Sequence, residues 1–266
     1  MHYVTSLTVI LIASVGLQGC VAEVVQKPID PRAARAEPAM GYLSKQAVPN
    51  SAVLSPPPPA PGSAAQALDD EMSRQYLAMQ GSPRFRQAAL DAAFDAPFDC
   101  ALQVPISKEA MPAVYRLLRR SMIDVGEATT GAKDRYKRAR PFMVNERPTC
   151  LEGQAEVLRK NGSYPSGHSA VGWAFALILA EISPEQAPAL FTRGRSFAQS
   201  RVVCNVHWYS DTVEGITLAS AAVARLHSDP AFMSDLALAR RELAAVRAKR
   251  LPVTRDCKAE ADALNP

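Results

Sequence analysis

The apolar positions of this chain recur at helical spacing along most of its length. Met111, Val114, Tyr115, Leu118, Met122 and Val125 follow the i, i+3, i+4, i+7 rhythm, which gives a helix one apolar face turned toward a core. From Ser169 to Ile182 the chain is apolar nearly all round, through Val171, Trp173, Phe175, Leu177, Ile178 and Leu179. A stretch this short predicts a central buried helix and not a membrane span, with Pro184 marking its end. A further helix is predicted over 189–200 on Leu190, Phe191 and Phe197, with Gly194 as the point where it could break. Two more follow. One runs from Trp208 to His227 through Val213, Ile216, Leu218, Val223 and Leu226, and a polar one starts at Pro230 with Phe232, Met233, Leu236 and Leu243 along one side. No strand and no internal repeat is predicted.

The two ends break the rhythm. Val4 to Leu17 is one apolar run, about fourteen residues, too short to span a bilayer and placed where a signal-peptide core belongs. Leu17-Gln18-Gly19-Cys20 follows it and resembles a bacterial lipobox, in which the cysteine becomes the lipidated first residue; ordinary cleavage after Ala22 is the alternative. Either way the chain is expected to be exported, as a periplasmic protein anchored to the outer membrane if Cys20 carries lipid. Residues 21–65 shift to Pro, Ala and Ser, including Pro56-Pro57-Pro58-Pro59, and predict a disordered spacer. Residues 251–266 predict a tail. The folded part is then 66–250.

Composition narrows this to one architecture. The chain has 266 residues, 48% of them hydrophobic, so one domain with a substantial core is expected. Aromatics at 6% and only 13 glycines argue against a sandwich or propeller and for an all-α, single-domain helical bundle. A net charge of +4 is far from the dense positive stripe of a nucleic-acid binder, so no stable nucleic-acid partner is expected. With Cys20 used for lipid, Cys100, Cys150, Cys204 and Cys257 remain, an even number that allows three disulfide pairings in an oxidising compartment.

Candidate chemistry concentrates in three places. Past the signal peptide only His168, His207 and His227 remain, too few for a site built on several imidazoles, and no zinc, nucleophile-elbow or phosphate-loop signature occurs. Lys133 and Arg140 lie seven positions apart, two helical turns, so both can project from one helical face toward one anion before Pro141 ends the helix. Pro165-Ser166-Gly167-His168 opens the buried helix: Ser166 is a capping residue, and Gly167 lets an oxyanion approach the free N–H groups of the first turn. Ser200-Arg201 precedes His207 and Asp211, whose i, i+4 spacing on a helix would set the carboxylate beside the ring. Taken singly, these are a basic face, a helix cap and a surface pair.

Together and in this order, Lys-x6-Arg-Pro, Pro-Ser-Gly-His and Ser-Arg-x5-His-x3-Asp resemble the signature of the phosphatidic acid phosphatase type 2 and vanadium haloperoxidase superfamily. The likeness extends to the bacterial class A non-specific acid phosphatases through Gly62-Ser63-Ala64, Arg119-Arg120-Ser121-Met122, Gly162-Ser163-Tyr164, Gly172-Trp173 and His207-Trp208. It implies an all-α fold and a phosphomonoesterase with small phosphomonoester substrates, no cofactor, no membrane contact beyond the lipid, and a homo-oligomer left open. The implied phosphate cradle is Lys133, Arg140 and Arg201 with Ser166 and Gly167; the implied nucleophile is His207, oriented by Asp211, and the implied general acid is His168. His227 falls outside the motifs and is expected to be structural. The resemblance also implies Cys150 paired with Cys204, leaving Cys100 with Cys257. Two rivals share the site: a lipid phosphate phosphatase, which would need several apolar spans, and a vanadium-dependent haloperoxidase.

The mature chain should begin at a lipid-bearing Cys20, which an intact-mass measurement of the N-terminus reads directly. A lipid-free species beginning at Glu23 would instead establish the simpler signal peptide.

Overall fold

A computed structural model describes residues 40–94, 97–151 and 153–265; the expected signal peptide and Cys20 lie outside them. In chain order the helices are α1 (Ser51–Leu54), α2 (Ala64–Leu77), α3 (Pro83–Leu90), α4 (Asp99–Leu102), α5 (Pro112–Ala128), α6 (Thr130–Tyr136) and α7 (Pro141–Asn145). Then come α8 (Ala155–Arg159), α9 (Gly167–Ile182), a 3-10 turn (Pro184–Gln186), α10 (Ala187–Val203), α11 (Tyr209–Leu226), α12 (Pro230–Lys249) and α13 (Cys257–Leu264). No strand occurs among the described residues, and no helix there is long and apolar enough to cross a membrane.

The apolar helix predicted at the centre is at the centre. α9 buries Val171, Phe175, Ile178 and Leu179 and is surrounded by α5, α10, α11 and α12. α5 starts with Pro112 at its first position, where the missing N–H costs nothing, and buries Val114, Leu117, Leu118 and Val125 against α9 and α12. α12 likewise starts at Pro230, with the Asp229 carboxylate accepting from the Ala231 and Phe232 N–H groups at 2.9 Å each.

Gly194 does not break α10, which is one helix from Ala187 to Val203. The glycine serves packing: a Cβ on it would lie 2.6 Å from Ala176 Cβ of α9, and a Cβ on Gly172 of α9 would run into the Phe197 ring of α10. Small residues on both sides let the two helices approach closely, a tertiary demand that outweighs glycine's poor helix propensity.

The described part of the expected disordered spacer and the expected tail both pack on the bundle. The stretch 40–65, assigned to the spacer, is fixed on the bundle. Tyr42 N–H and Leu43 N–H donate to the buried Asp124 carboxylate at 2.7 and 3.2 Å, Ser51 Oγ accepts from Ala132 N at 2.9 Å, and the Pro56 carbonyl accepts from Tyr164 Oη at 2.9 Å. A Pro-rich segment builds no core of its own, but here the bundle supplies the hydrogen-bond partners. The tail 251–266 contains α13, on which Cys257 is bonded to Cys100 and Ala263 is buried. Cys150 is bonded to Cys204, so the structure holds the pairing implied by the resemblance.

Gly172→Ala should lower stability by about 1–3 kcal/mol, the range for overpacking a filled core. Thermal unfolding of the variant reads this, and an unchanged midpoint would show that the α9–α10 contact has slack.

Candidate active site

The loops at one end of α9 bring the three motifs together. α6 stops at Tyr136 because Lys137 takes a left-handed conformation, φ 43°, and Arg140 stands in extended backbone as the N-cap of α7. Lys133 and Arg140 therefore do not share a helical face, as their spacing suggested. They converge because the chain folds back. Lys133 Nζ donates to the Gly162 carbonyl at 2.9 Å, and Arg140 Nη2 reaches the same oxygen at 3.5 Å. Arg140 also donates through Nε to the carbonyls of Leu158 and Asn161, at 3.0 and 3.2 Å, and through Nη1 to the Val206 carbonyl at 2.8 Å. Main-chain oxygens thus solvate a guanidinium that is only 3% exposed.

Arg201 comes from the last turn of α10. It is buried, and its Nε and Nη1 find no hydrogen-bond acceptor within the protein. Two donors on one buried guanidinium suit an oxyanion, the acceptor a phosphoryl group brings. Burial pushes all three cations down, Lys133 to about 7, Arg140 to about 10 and Arg201 to about 9, and mutual repulsion adds to this for Lys133 and Arg201. An anion placed among them relieves that repulsion.

Ser166 caps α9, its Oγ accepting from Ser169 N at 3.2 Å and Ser169 Oγ at 2.8 Å. Its N–H donates to the Asp211 carbonyl at 2.9 Å, which ties the start of α9 to the start of α11. Gly215 allows this contact, since a Cβ there would collide with the Ser166 carbonyl. Gly167 follows, close enough to Lys133 that a Cβ on it would lie 3.9 Å from Lys133 Cε.

His207 precedes α11 instead of lying in it, so its contact with Asp211 is not the helical i, i+4 pairing read from the spacing. Asp211 is the third residue of α11, and its Oδ2 accepts both the Trp208 N–H at 2.9 Å and His207 Nδ1 at 3.2 Å. On the other edge of the ring, Arg140 Nη1 lies 3.0 Å from Nε2. A guanidinium only donates, so Nε2 presents its lone pair and Nδ1 carries the proton. Burial first, then Arg140, Lys133 and Arg201, hold the His207 pKa well below its ordinary value, so the ring stays neutral.

His168, the second residue of α9, packs against two aromatic rings that also touch each other, stacked on Phe197 at 5.1 Å and tilted against Phe94 at 4.2 Å between centroids. Its Nε2 is 2.7 Å from the Asp91 carbonyl, which can only accept, so Nε2 is protonated and Nδ1 is the nitrogen able to exchange a proton. Burial, then Arg201, lowers its pKa well below 6.5. His227 sits apart at the end of α11, its two nitrogens against the Val223 carbonyl at 2.7 Å and Glu181 at 2.8 Å. Burial lowers its pKa but those two hydrogen bonds outweigh it and raise the value.

Three supports of the site, Arg138, Asp69 and Asp91, carry no signal in the sequence. Arg138 bridges Asp211 Oδ1 and Asp69 Oδ2, at 2.7 Å each, and Asp69 also accepts from Ser210 N and Oγ at 2.7 and 2.6 Å. α2 is thereby fastened to the carboxylate behind His207. Ser163 Oγ donates to Asp211 Oδ2, and Asp91 carries His168. In the sequence Arg138 stands among the cations between Lys133 and Arg140, with nothing to separate it from Arg135 or Lys137.

Comparison with known proteins covers the part of the chain that builds this site. The PAP2 superfamily profile matches residues 114–231, which hold every residue of the cradle and both histidines. The non-specific acid phosphatase of Providencia stuartii is 40% identical over 217 residues, 79% of this chain and 88% of the relative. That of Salmonella typhimurium is 39% identical over 214 residues, 78% and 86% of the two chains, and the acid phosphatase of Zymomonas mobilis is 38% identical over 196 residues, 72% and 74%. This chain belongs to the PAP2 superfamily and is a phosphatase of the class A non-specific acid phosphatase type.

Proposed function

We propose that the enzyme hydrolyses phosphomonoesters through a phosphohistidine on His207, without a metal ion, in the periplasm as an outer-membrane lipoprotein. The observation that carries the chemistry is the lone pair of His207 Nε2 against Arg140, with Lys133 and Arg201 close enough to act on the ring, and with two donors of the buried Arg201 unspent within the protein. Phosphoryl transfer requires little beyond in-line positioning and neutralisation of the equatorial oxygens, and Lys133, Arg140 and Arg201 supply that charge in a dry site. Ser166 Oγ and the N–H groups at the start of α9 add donors.

In the first step Nε2 forms a bond to phosphorus as the bond to the alcohol oxygen breaks, and Arg140 Nη1 moves from Nε2 to a phosphoryl oxygen. His168 in its imidazolium form gives the Nδ1 proton to the departing oxygen. Asp211 keeps Nδ1–H of His207 in place and stabilises the positive charge that grows on the ring. In the second step water attacks phosphorus, gives a proton to His168, and the N–P bond breaks to release inorganic phosphate and the free imidazole. The cycle needs His207 neutral and His168 protonated. Both histidines are held below their ordinary value, which supports an optimum of kcat/KM on the acid side of pH 6.5.

Among the described residues no group of three or more His, Cys, Asp or Glu is placed to hold a metal ion. Turnover should therefore survive EDTA; complete loss restored by zinc or magnesium would overturn the metal-free reading.

The two histidines should separate by leaving group. His207→Ala should abolish turnover of every ester, whereas His168→Ala should retain far more activity on 4-nitrophenyl phosphate, whose phenolate leaves unprotonated, than on an alkyl phosphate. General acid catalysis sets the gap for the poor leaving group at about 10² to 10⁴. Equal losses for His168→Ala on the two esters would reject it as the acid, and substantial residual turnover in His207→Ala would reject it as the nucleophile.

A further inference from the structure

The general acid has a problem that its aromatic neighbours do not solve. Stacking on Phe197 fixes the plane of the His168 ring and the tilted Phe94 ring adds an apolar contact, but a stacked ring can still turn within its own plane. Only a directional bond decides which nitrogen meets the substrate, and that bond is Nε2–H to the Asp91 main-chain carbonyl at 2.7 Å. The position of one carbonyl therefore controls the acid.

That carbonyl belongs to a residue held with unusual force for a helix end. Asp91 is the C-cap of α3, where chains commonly fray, yet its carboxylate is 0% exposed and fully engaged. Arg193 grips both of its oxygens, Oδ2 through Nη1 at 3.2 Å and Oδ1 through Nη2. Ser200 Oγ donates to Oδ2 at 2.6 Å, and Gln87 Nε2 donates to Oδ1 at 2.8 Å. Each partner is itself anchored. Arg84 Nη1 donates to Ser200 Oγ at 2.9 Å, and Arg193 Nε faces Glu260 of α13 at 3.2 Å, on the helix that the Cys100–Cys257 bond holds. Ser200 immediately precedes Arg201 of the cradle, so one buried carboxylate sets the spacing between proton donor and anion site. Its charge also faces three guanidiniums, Arg84, Arg193 and Arg201, which would otherwise be buried beside one another.

We propose that Asp91 is a positioning residue for the general acid: its buried carboxylate, fixed by Arg193, Ser200 and Gln87, holds the main-chain carbonyl that directs His168 Nε2, and so aims Nδ1 at the departing oxygen. Asp91 touches no substrate. The inference rests on His168 acting as the acid, and it adds to that role a residue that none of the three motifs contains.

Asp91→Asn keeps the shape but removes the charge and leaves too few acceptors for the donors converging there. The carbonyl should shift and the ring with it, and displacement by about 1 Å can cost about 10²-fold where geometry matters. The expected pattern is a fall in kcat on methyl phosphate of about tenfold or more, a fall on 4-nitrophenyl phosphate of less than about threefold, and unchanged inhibition by inorganic phosphate. A merely structural role would lower both esters together, so equal losses overturn the proposal, as does a folded variant with no loss on either. If Asp91→Asn does not fold, Arg193→Lys carries the same comparison, since one ammonium cannot hold both Asp91 oxygens and Glu260. The wild-type protein offers an independent reading: 15N spectroscopy of the histidine rings should show neutral His168, assigned by its absence in His168→Ala, as the Nε2–H tautomer. An Nδ1–H tautomer would overturn the proposal. His168→Ala is measured on the same two esters: if it shows the gap and Asp91→Asn does not, only the role of Asp91 falls, and if it shows no gap, the acid assignment falls first.

Discussion

Asp211 is buried completely, and four donors meet on its two oxygens: Arg138, Ser163, the Trp208 N–H and His207. A carboxylate in that position cannot be moved or neutralised without leaving four donors from three separate segments unpaired, at a cost of about 1–3 kcal/mol for each buried group. Through Arg138 it reaches Asp69 and α2; through Trp208 it caps α11; through His207 it fixes the tautomer that exposes a lone pair. Its main-chain carbonyl also receives the Ser166 N–H at the head of α9. The mouth of the bundle is organised around this one anion, and the helices behind it serve to hold its partners in register.

Charge is distributed unevenly about that point. Arg140 and Arg201 are buried and Lys133 half-buried beside them, but Asp211 already has Arg138 as its counterion. The local excess is positive, which adds to the burial that pushes the cations down, and a doubly charged phosphoryl group is the complement of such an excess. Carbonyl oxygens of Leu158, Asn161, Gly162 and Val206 make burial tolerable for Arg140 and Lys133 without cancelling their charge. A carboxylate partner in their place would have filled the site with a salt bridge and removed its affinity for anions. On the His168 side Phe94 and Phe197 supply an apolar wall, and burial there, with Arg201 next, lowers the His168 pKa.

The Pro-rich segment and the C-terminal helix show how surface pieces join the same network of contacts. Tyr42 pairs with Asp235 at 2.8 Å under the Arg120 guanidinium and docks on Asp124, while α13 closes the far side through Cys257 and Glu260. Neither piece has a hydrophobic pattern of its own. Both are ordered by groups on the bundle that would lack partners without them.

The periodicity of α5, α9, α11 and α12 by itself determined these helices and most of their buried faces, because a 3.6-residue rhythm is local, although Val213 of α11 and Met233 of α12, read on the apolar faces, are exposed. Motif order likewise picked out the cradle and its two histidines. The means by which they meet was not local. Lys133 and Arg140 converge through a left-handed turn, and His207 and Asp211 through a helix cap, where the spacing alone suggested shared helical faces. Asp69, Asp91 and Arg138 were silent in the sequence because, Gln87 beside Asp91 apart, the partners that place them lie 69 to 141 positions away, and a lone charged residue reads there as surface. Hydrophobic pattern is written along the chain; hydrogen-bond partnership between distant segments exists only once the core has brought them together, and it is that partnership which decided the tautomers and the charge balance.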